Sequence, residues 1–291
     1  MFNTVRGWTR LVGLVIYILL VYLTVLLIFP WVNQRRRHRL IKSMAARLPW
    51  VLGIDVVIEG KVPRESSAND GINPQGAGYL VVANHIAFVD VFVLDMVLPC
   101  QFVAKKEIAS WPIFGTICKG IGTLFIDRKR LRSVIELNQL MATGLNSGRN
   151  VLFFPEGTTA GGIDLLPFHA NLFECAKQAE ADIVPIALHY TFKGEKTTLP
   201  SYAGKTTMWT ALKRIVFNNG IVAHAQVGEV IKNTPEATRF SFCLESSAQI
   251  SHLLNVTDQT ALREAQRQAV LAQNEKDNAE AKAEAEATPA R

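Results

Sequence analysis

Paired cysteines are missing from this chain. Cys100, Cys118, Cys175 and Cys243 stand far apart, with neither the close spacing of a zinc-binding pair nor the density of a disulfide framework. The cysteines therefore point to no metal site and no disulfide scaffold, and they fit a reducing cytosol. A Gly-x-Ser-x-Gly nucleophile elbow is absent as well, which excludes the common serine-hydrolase form. No glycine-rich loop of the phosphate-cradling kind occurs, so no bound cofactor is expected. Zinc-finger spacing and aromatic-rich RNA-binding signatures are also lacking, which argues against nucleic acid as the partner of a chain whose formal charge is +6. Finally, Leu11 to Phe29 holds no charged residue at all.

That last absence is informative, because about 20 apolar residues suffice to cross a bilayer core as a helix. The segment is expected to be a membrane helix. Trp8 and Trp31 flank it where interfacial aromatics belong. Arg35, Arg36, Arg37, Arg39 and Lys42 follow it, against Arg6 and Arg10 before it, a bias that places the C-terminal side in the cytoplasm. The run is too long for a signal peptide and ends in Pro30-Trp31 rather than a small-residue cleavage site. Two arrangements stay open. The helix either crosses fully, or enters one leaflet and returns through Leu40 to Leu52, whose basic and apolar mixture suits an interfacial helix.

Three parts are expected: residues 1–52 as membrane segment and interfacial helix, 53–257 as one catalytic body, and 258–291 as an Ala- and Glu-rich tail, disordered or helical. The tail carries seven acids and five bases, leaving 26 bases against 18 acids elsewhere. So basic a body suits anionic partners such as lipid headgroups. Within it, short apolar runs at 79–83, 101–104, 122–126, 151–154 and 183–188 alternate with helical stretches, the pattern of an α/β fold with a sheet flanked by helices.

The first of these runs leads into Asn84-His85-Ile86-Ala87-Phe88-Val89-Asp90. A strand, turn and helix would bring Asp90 back to the His85 imidazole, fix its tautomer and leave the other ring nitrogen free to take a proton. No nucleophilic Ser or Cys shares the stretch, so the base would act on a proton of the substrate. The bland reading, a helix-capping histidine beside a solvated acid, is equally good on this stretch alone. Two further runs end in Arg128 and Glu156, and ligands in such folds bind at the carboxyl ends of strands, which favours a site.

Asn84-His85 with Asp90, Gly122 to Arg128, Phe154 to Thr158 and Val184-Pro185-Ile186 resemble, in order, the four sequence blocks of the glycerolipid acyltransferase family, which includes the 1-acylglycerol-3-phosphate acyltransferases. The resemblance covers roughly Val56 to Gly228 and implies that family's sheet flanked by helices. It implies transfer of a fatty acyl chain from a coenzyme A or acyl-carrier-protein thioester, a co-substrate rather than a cofactor, to the hydroxyl of a lysophospholipid acceptor, giving phosphatidate from 1-acylglycerol-3-phosphate. By the same resemblance His85 is the base, Asp90 its partner, and Lys105, Arg128, Glu156, Gly157 and Thr158 bind the acceptor's phosphate. Glu156 would orient Arg128 or a backbone turn, Gly157 and Thr158 would donate an amide and a hydroxyl, and the amides after His85 are candidates for the oxyanion. Thr159 and His169 depart from the family pattern, which keeps lyso-ornithine lipid, an acceptor without phosphate, as the alternative. A membrane-anchored lipid-binding protein without activity is the non-enzymatic one. A hydrolase using the same dyad with water is the remaining rival.

Overall fold

The computed structural model describes residues 2–63, 76–127 and 131–271. Its strands are β1 (Ile54–Glu59), β2 (Leu80–Ala83), β3 (Cys100–Lys105), β4 (Leu124–Ile126), β5 (Asn150–Phe153), β6 (Ile183–Phe192), β7 (Glu195–Lys196) and β8 (Ile221–Val227). They form one sheet in the order β1-β8-β6-β2-β5-β3-β4, with β7 paired to β6. From β6 to β4 the path is parallel, with Leu80 opposite Val151 on one side and Ile183 on the other, whereas β8 runs antiparallel to β6 and carries β1 beside it. The carboxyl ends of β2, β5, β3 and β4 consequently share one edge of the sheet.

The helices are α1 (Phe2–Leu23), α2 (Gln34–Leu52), α3 (Asp90–Val97), α4 (Pro112–Gly120), α5 (Leu131–Asn146), α6 (Glu174–Gln178), α7 (Met208–Phe217) and α8 (Arg239–Leu254). Local chemistry sets several of their ends. The Asn33 side chain accepts the Arg36 amide to start α2, Thr207 accepts the Thr210 amide to start α7, and Thr238 and Ser241 cap α8 reciprocally.

Both faces of the central strands are covered, which is why β2 and, after Asn150, β5 read as continuous apolar runs rather than alternating ones. Val81, Ala83 and Leu152 face a core closed by Leu14 of α1, Leu48 and Leu52 of α2, Leu94 of α3 and Ile215 of α7. On the opposite face Leu80, Val82 and Phe153 meet Met141 of α5, Cys175 of α6 and Phe242 of α8.

Residues 1–52 and 258–291 differ from the body in composition, but their described parts pack onto it. After α1 the chain makes a π turn over Thr24–Ile28 and a 3-10 turn over Phe29–Trp31, and Thr4–Trp31 is long and apolar enough to cross a membrane. One stripe of this segment docks along its length. The Arg10 guanidinium donates to the Val216 and Asn218 carbonyls, Leu14 enters the core, the Tyr17 hydroxyl donates to the Met44 carbonyl, and Val21, Val25 and Phe29 are buried. The remaining faces expose Val12, Val15, Ile16, Leu19, Leu20, Leu23, Leu26 and Leu27. At the other end residues 259–271 are helical, and Thr260 is buried with its hydroxyl accepting the Phe168 amide at 2.9 Å.

Candidate active site

β2 is short and wholly buried, so its exit point is fixed on both sides, and Asn84 fixes it further. The Asn84 amide spans to β6, where Oδ1 accepts the Leu188 amide at 2.7 Å and Nδ2 donates to the Leu188 carbonyl at 2.9 Å. His85 follows directly, 16% exposed, its ring stacked on Phe154 at 4.0 Å and 11°. The helix expected just after His85 begins only at Asp90, so residues 86–89 form a turn that folds the carboxylate back over the imidazole.

Asp90 is fully buried and accepts from four donors. Oδ2 takes His85 Nδ1 at 2.8 Å, the Ile86 amide at 2.6 Å and the Ala87 amide at 2.8 Å, while Oδ1 takes the Tyr190 hydroxyl at 2.6 Å. A carboxylate accepting at Nδ1 selects the tautomer with its lone pair on Nε2. That nitrogen faces the Tyr202 hydroxyl at 3.4 Å, longer than an ordinary hydrogen bond to oxygen, with the phenol ring edge-on to the imidazole.

Glu156, one strand over at the end of β5, is 4% exposed and braces this turn, Oε1 accepting the His85 amide at 3.3 Å. Burial pushes its carboxyl up to about 8, although the His85 amide pulls the other way. Glu156 thus braces the backbone of the turn that carries the imidazole. Gly157 has φ of 71°, the left-handed region that a side chain disfavours, and makes the tight turn after Glu156. The loop then returns to the histidine, for the Ala160 amide donates to the His85 carbonyl at 2.7 Å, and Ser201 Oγ donates to the Ala160 carbonyl at 3.1 Å.

Several sequence expectations change on this geometry. The Ile86 and Ala87 amides, expected as oxyanion donors, are spent on Asp90. The Gly157 amide donates to the Phe154 carbonyl at 3.1 Å and is a turn bond instead of a ligand donor. Thr158 is exposed on the same turn, and Lys105 is exposed at the end of β3. Strand spacing of about 4.8 Å puts the Lys105 backbone roughly 10 Å along the edge from β2. Arg128 lies outside the described residues. The sequence carries no signal for Tyr190 or Tyr202, because neither belongs to a recognisable motif and they reach the dyad across 100 and 117 residues.

His189 and His224, opposite each other on β6 and β8, stack at 4.4 Å on another part of the sheet, and burial lowers His189 to about 4. His169 donates its amide to the Pro155 carbonyl at the rim of the loop.

Comparison with known proteins agrees with the motif order. Residues 56–189 match the acyltransferase family model. A 1-acyl-sn-glycerol-3-phosphate acyltransferase of Neisseria gonorrhoeae is 39% identical over 158 residues, which are 52% of this chain and 62% of that protein, so less than two thirds of its length is matched. A lyso-ornithine lipid O-acyltransferase of Pseudomonas aeruginosa is 33% identical over 195 residues, 67% of this chain and 70% of that one. The crystal structure of a 1-acyl-sn-glycerophosphate acyltransferase from Thermotoga maritima superposes with a TM-score of 0.63 at 17% identity, covering 87% of this chain and 95% of that chain, which is a likeness of fold.

Proposed function

Since this chain belongs to the acyltransferase family, we propose that it moves a fatty acyl group from a coenzyme A or acyl-carrier-protein thioester to the free hydroxyl of 1-acylglycerol-3-phosphate, giving phosphatidate. The observation that carries the reading is the bond from His85 Nδ1 to a carboxylate held by three further donors, which leaves Nε2 as a fixed base. A lysolipid hydroxyl is a poor nucleophile, and a positioned base removes its proton as it attacks the thioester carbon. Asp90 stabilises the imidazolium so formed, and the imidazolium then protonates the departing thiolate. No acyl-enzyme is needed. Lys105, at the same edge of the sheet, supplies a charge for the acceptor's phosphate, and binding that remote group holds the hydroxyl at Nε2.

Lyso-ornithine lipid is the second acceptor to consider, favoured by the likeness to the Pseudomonas aeruginosa protein over two thirds of the chain. The test is thiol release from an acyl thioester by the detergent-solubilised protein, with each lysolipid supplied separately. Release with lysophosphatidate, lost in His85→Ala, supports the proposal. Faster release with lyso-ornithine lipid keeps the chemistry and replaces the acceptor. Thioester loss with neither lipid present indicates a hydrolase, and lipid binding without any release indicates a binding protein.

The reading extends to the membrane. An α1 that crossed the bilayer would draw in α2, to which it is docked, and with it the exposed Arg36, Arg39, Lys42 and Arg47. Each charge at bilayer depth costs about 2.5–3.5 kcal/mol or more. An α1 lying along the headgroup boundary of one leaflet buries its apolar faces and keeps those cations in the phosphate layer. The catalytic body then rests on the cytoplasmic surface, beside the membrane lipids that supply its acceptor.

A further inference from the structure

We infer that Tyr202 is a catalytic residue of this transfer, its hydroxyl donating to the thioester carbonyl oxygen as that oxygen takes on negative charge. The inference rests on the acyl-transfer reading above. It begins from a deficit. A tetrahedral intermediate needs a donor at its oxygen, and that donor is worth most in a site closed to water. Five backbone amides of the turns beside the imidazole are already used: Ile86 and Ala87 on Asp90, His85 on Glu156, Gly157 on the Phe154 carbonyl, and Ala160 on the His85 carbonyl.

Tyr202 faces the place where the reacting carbon must sit. Its hydroxyl is 3.4 Å from Nε2, and its ring stands at 86° to the imidazole. An acceptor hydroxyl bonded to Nε2 brings the carbon it attacks, and that carbon's oxygen, next to the phenol. At 3.4 Å the phenol is not firmly bonded to Nε2 and can turn to a new acceptor. Its backbone is held to the site, because the neighbouring Ser201 is buried, bonds its hydroxyl to the Ala160 carbonyl and accepts the Ala203 amide. Burial, with Asp90 adding to it, raises the phenol to about 12. It stays protonated at any physiological pH and acts as a donor.

The step balances. The acceptor oxygen bonds to the carbonyl carbon while Nε2 takes its proton, and the carbonyl π pair moves onto the oxygen that Tyr202 holds without releasing its own proton. Collapse re-forms the carbonyl, breaks the carbon–sulfur bond and returns the proton from the imidazolium to the thiolate.

The experiment compares Tyr202→Phe with the unaltered protein and His85→Ala, measuring kcat and KM for thiol release and the affinity for a thioether analogue of the donor that lacks the carbonyl. Tyr202→Phe keeps the ring and removes only the hydroxyl. The expected result is a kcat lowered by about 10²–10³-fold, the loss typical of one oxyanion donor, with the lysolipid KM and the analogue affinity unchanged. Full activity in Tyr202→Phe beside an inactive His85→Ala overturns the inference and leaves the transfer standing, as does a loss matched by weaker analogue binding. A faster Tyr202→Phe also overturns it and makes the phenol a plug on the base. No transfer by the unaltered protein overturns the underlying reading, and the inference with it.

Discussion

His85 and Asp90 form one constellation but differ in what their removal costs. His85 is partly exposed, and its ring meets Asp90, Phe154 and Tyr202. His85→Ala is expected to lower kcat by about 10²–10⁴-fold, the usual worth of a general base, with little change in melting temperature. Asp90→Asn turns one acceptor oxygen into a donor against groups that already donate. It is expected to lose activity and also about 1.5–3 kcal/mol of stability, the worth of a hydrogen bond to a charged group, read by denaturant unfolding. A second buried acid sets a pH dependence. Asp95 is pushed up to about 8 by burial, although the Cys100 amide it accepts pulls the other way. The folded protein therefore retains a proton that the unfolded chain releases near pH 4. Stability contributed by this proton is complete below that value and is lost as pH rises toward 8. Thermal unfolding from pH 5 to 9 is expected to show this fall in the unaltered protein and a flatter profile in Asp95→Asn.

At the scale of elements, the loop after β5 ties the site together. It starts at Pro155, turns at Gly157, touches the His85 carbonyl through the Ala160 amide, and ends near Phe168, whose amide is held by Thr260 from beyond α8. Ser247 joins the same knot, its hydroxyl 2.7 Å from both the Asp258 carboxylate, to which it donates, and the Thr260 hydroxyl, from which its oxygen can accept. Thr260→Val removes the acceptor of a buried amide and is expected to cost about 1–3 kcal/mol, largely restored in Thr260→Ser. Melting temperatures of the two variants check this. Composition assigns residues 258–260 to a polar tail, since the contacts that make them part of the body come from Phe168 and Ser247, far away in the chain.

At the scale of the whole molecule, the docked stripe of α1 is the basis of the proposed arrangement in one leaflet. Cysteines introduced singly at Thr4 and Arg36 are expected to react with a membrane-impermeant maleimide from the same side of sealed vesicles, as the two ends of a helix lying in one leaflet. Reaction from opposite sides would establish a full span. Replacing Val15, Leu19 and Leu23 by Gln removes apolar surface that the fold leaves uncovered. It is expected to release protein from sedimented vesicles without lowering the melting temperature of the detergent-solubilised protein.

Much of this was legible in the sequence because it is local. The apolar run before Asn84, the five-residue step from His85 to Asp90, the order of four motifs and the uncharged stretch 11–29 each depend on neighbours in the chain, and together they determined the α/β class, the family and the pairing of His85 with Asp90. Tertiary structure alone decided the rest. It spent the Ile86 and Ala87 amides on the Asp90 carboxylate and the Gly157 amide on a turn bond, brought Tyr190 and Tyr202 to the dyad, turned Glu156 toward a backbone amide, and laid α1 against the body. The physical reason is the same in each case. A strand or helix periodicity is written in adjacent residues, whereas the partner of a buried donor or acceptor is whichever group the packed sheet brings within about 3 Å, and chain order does not encode that.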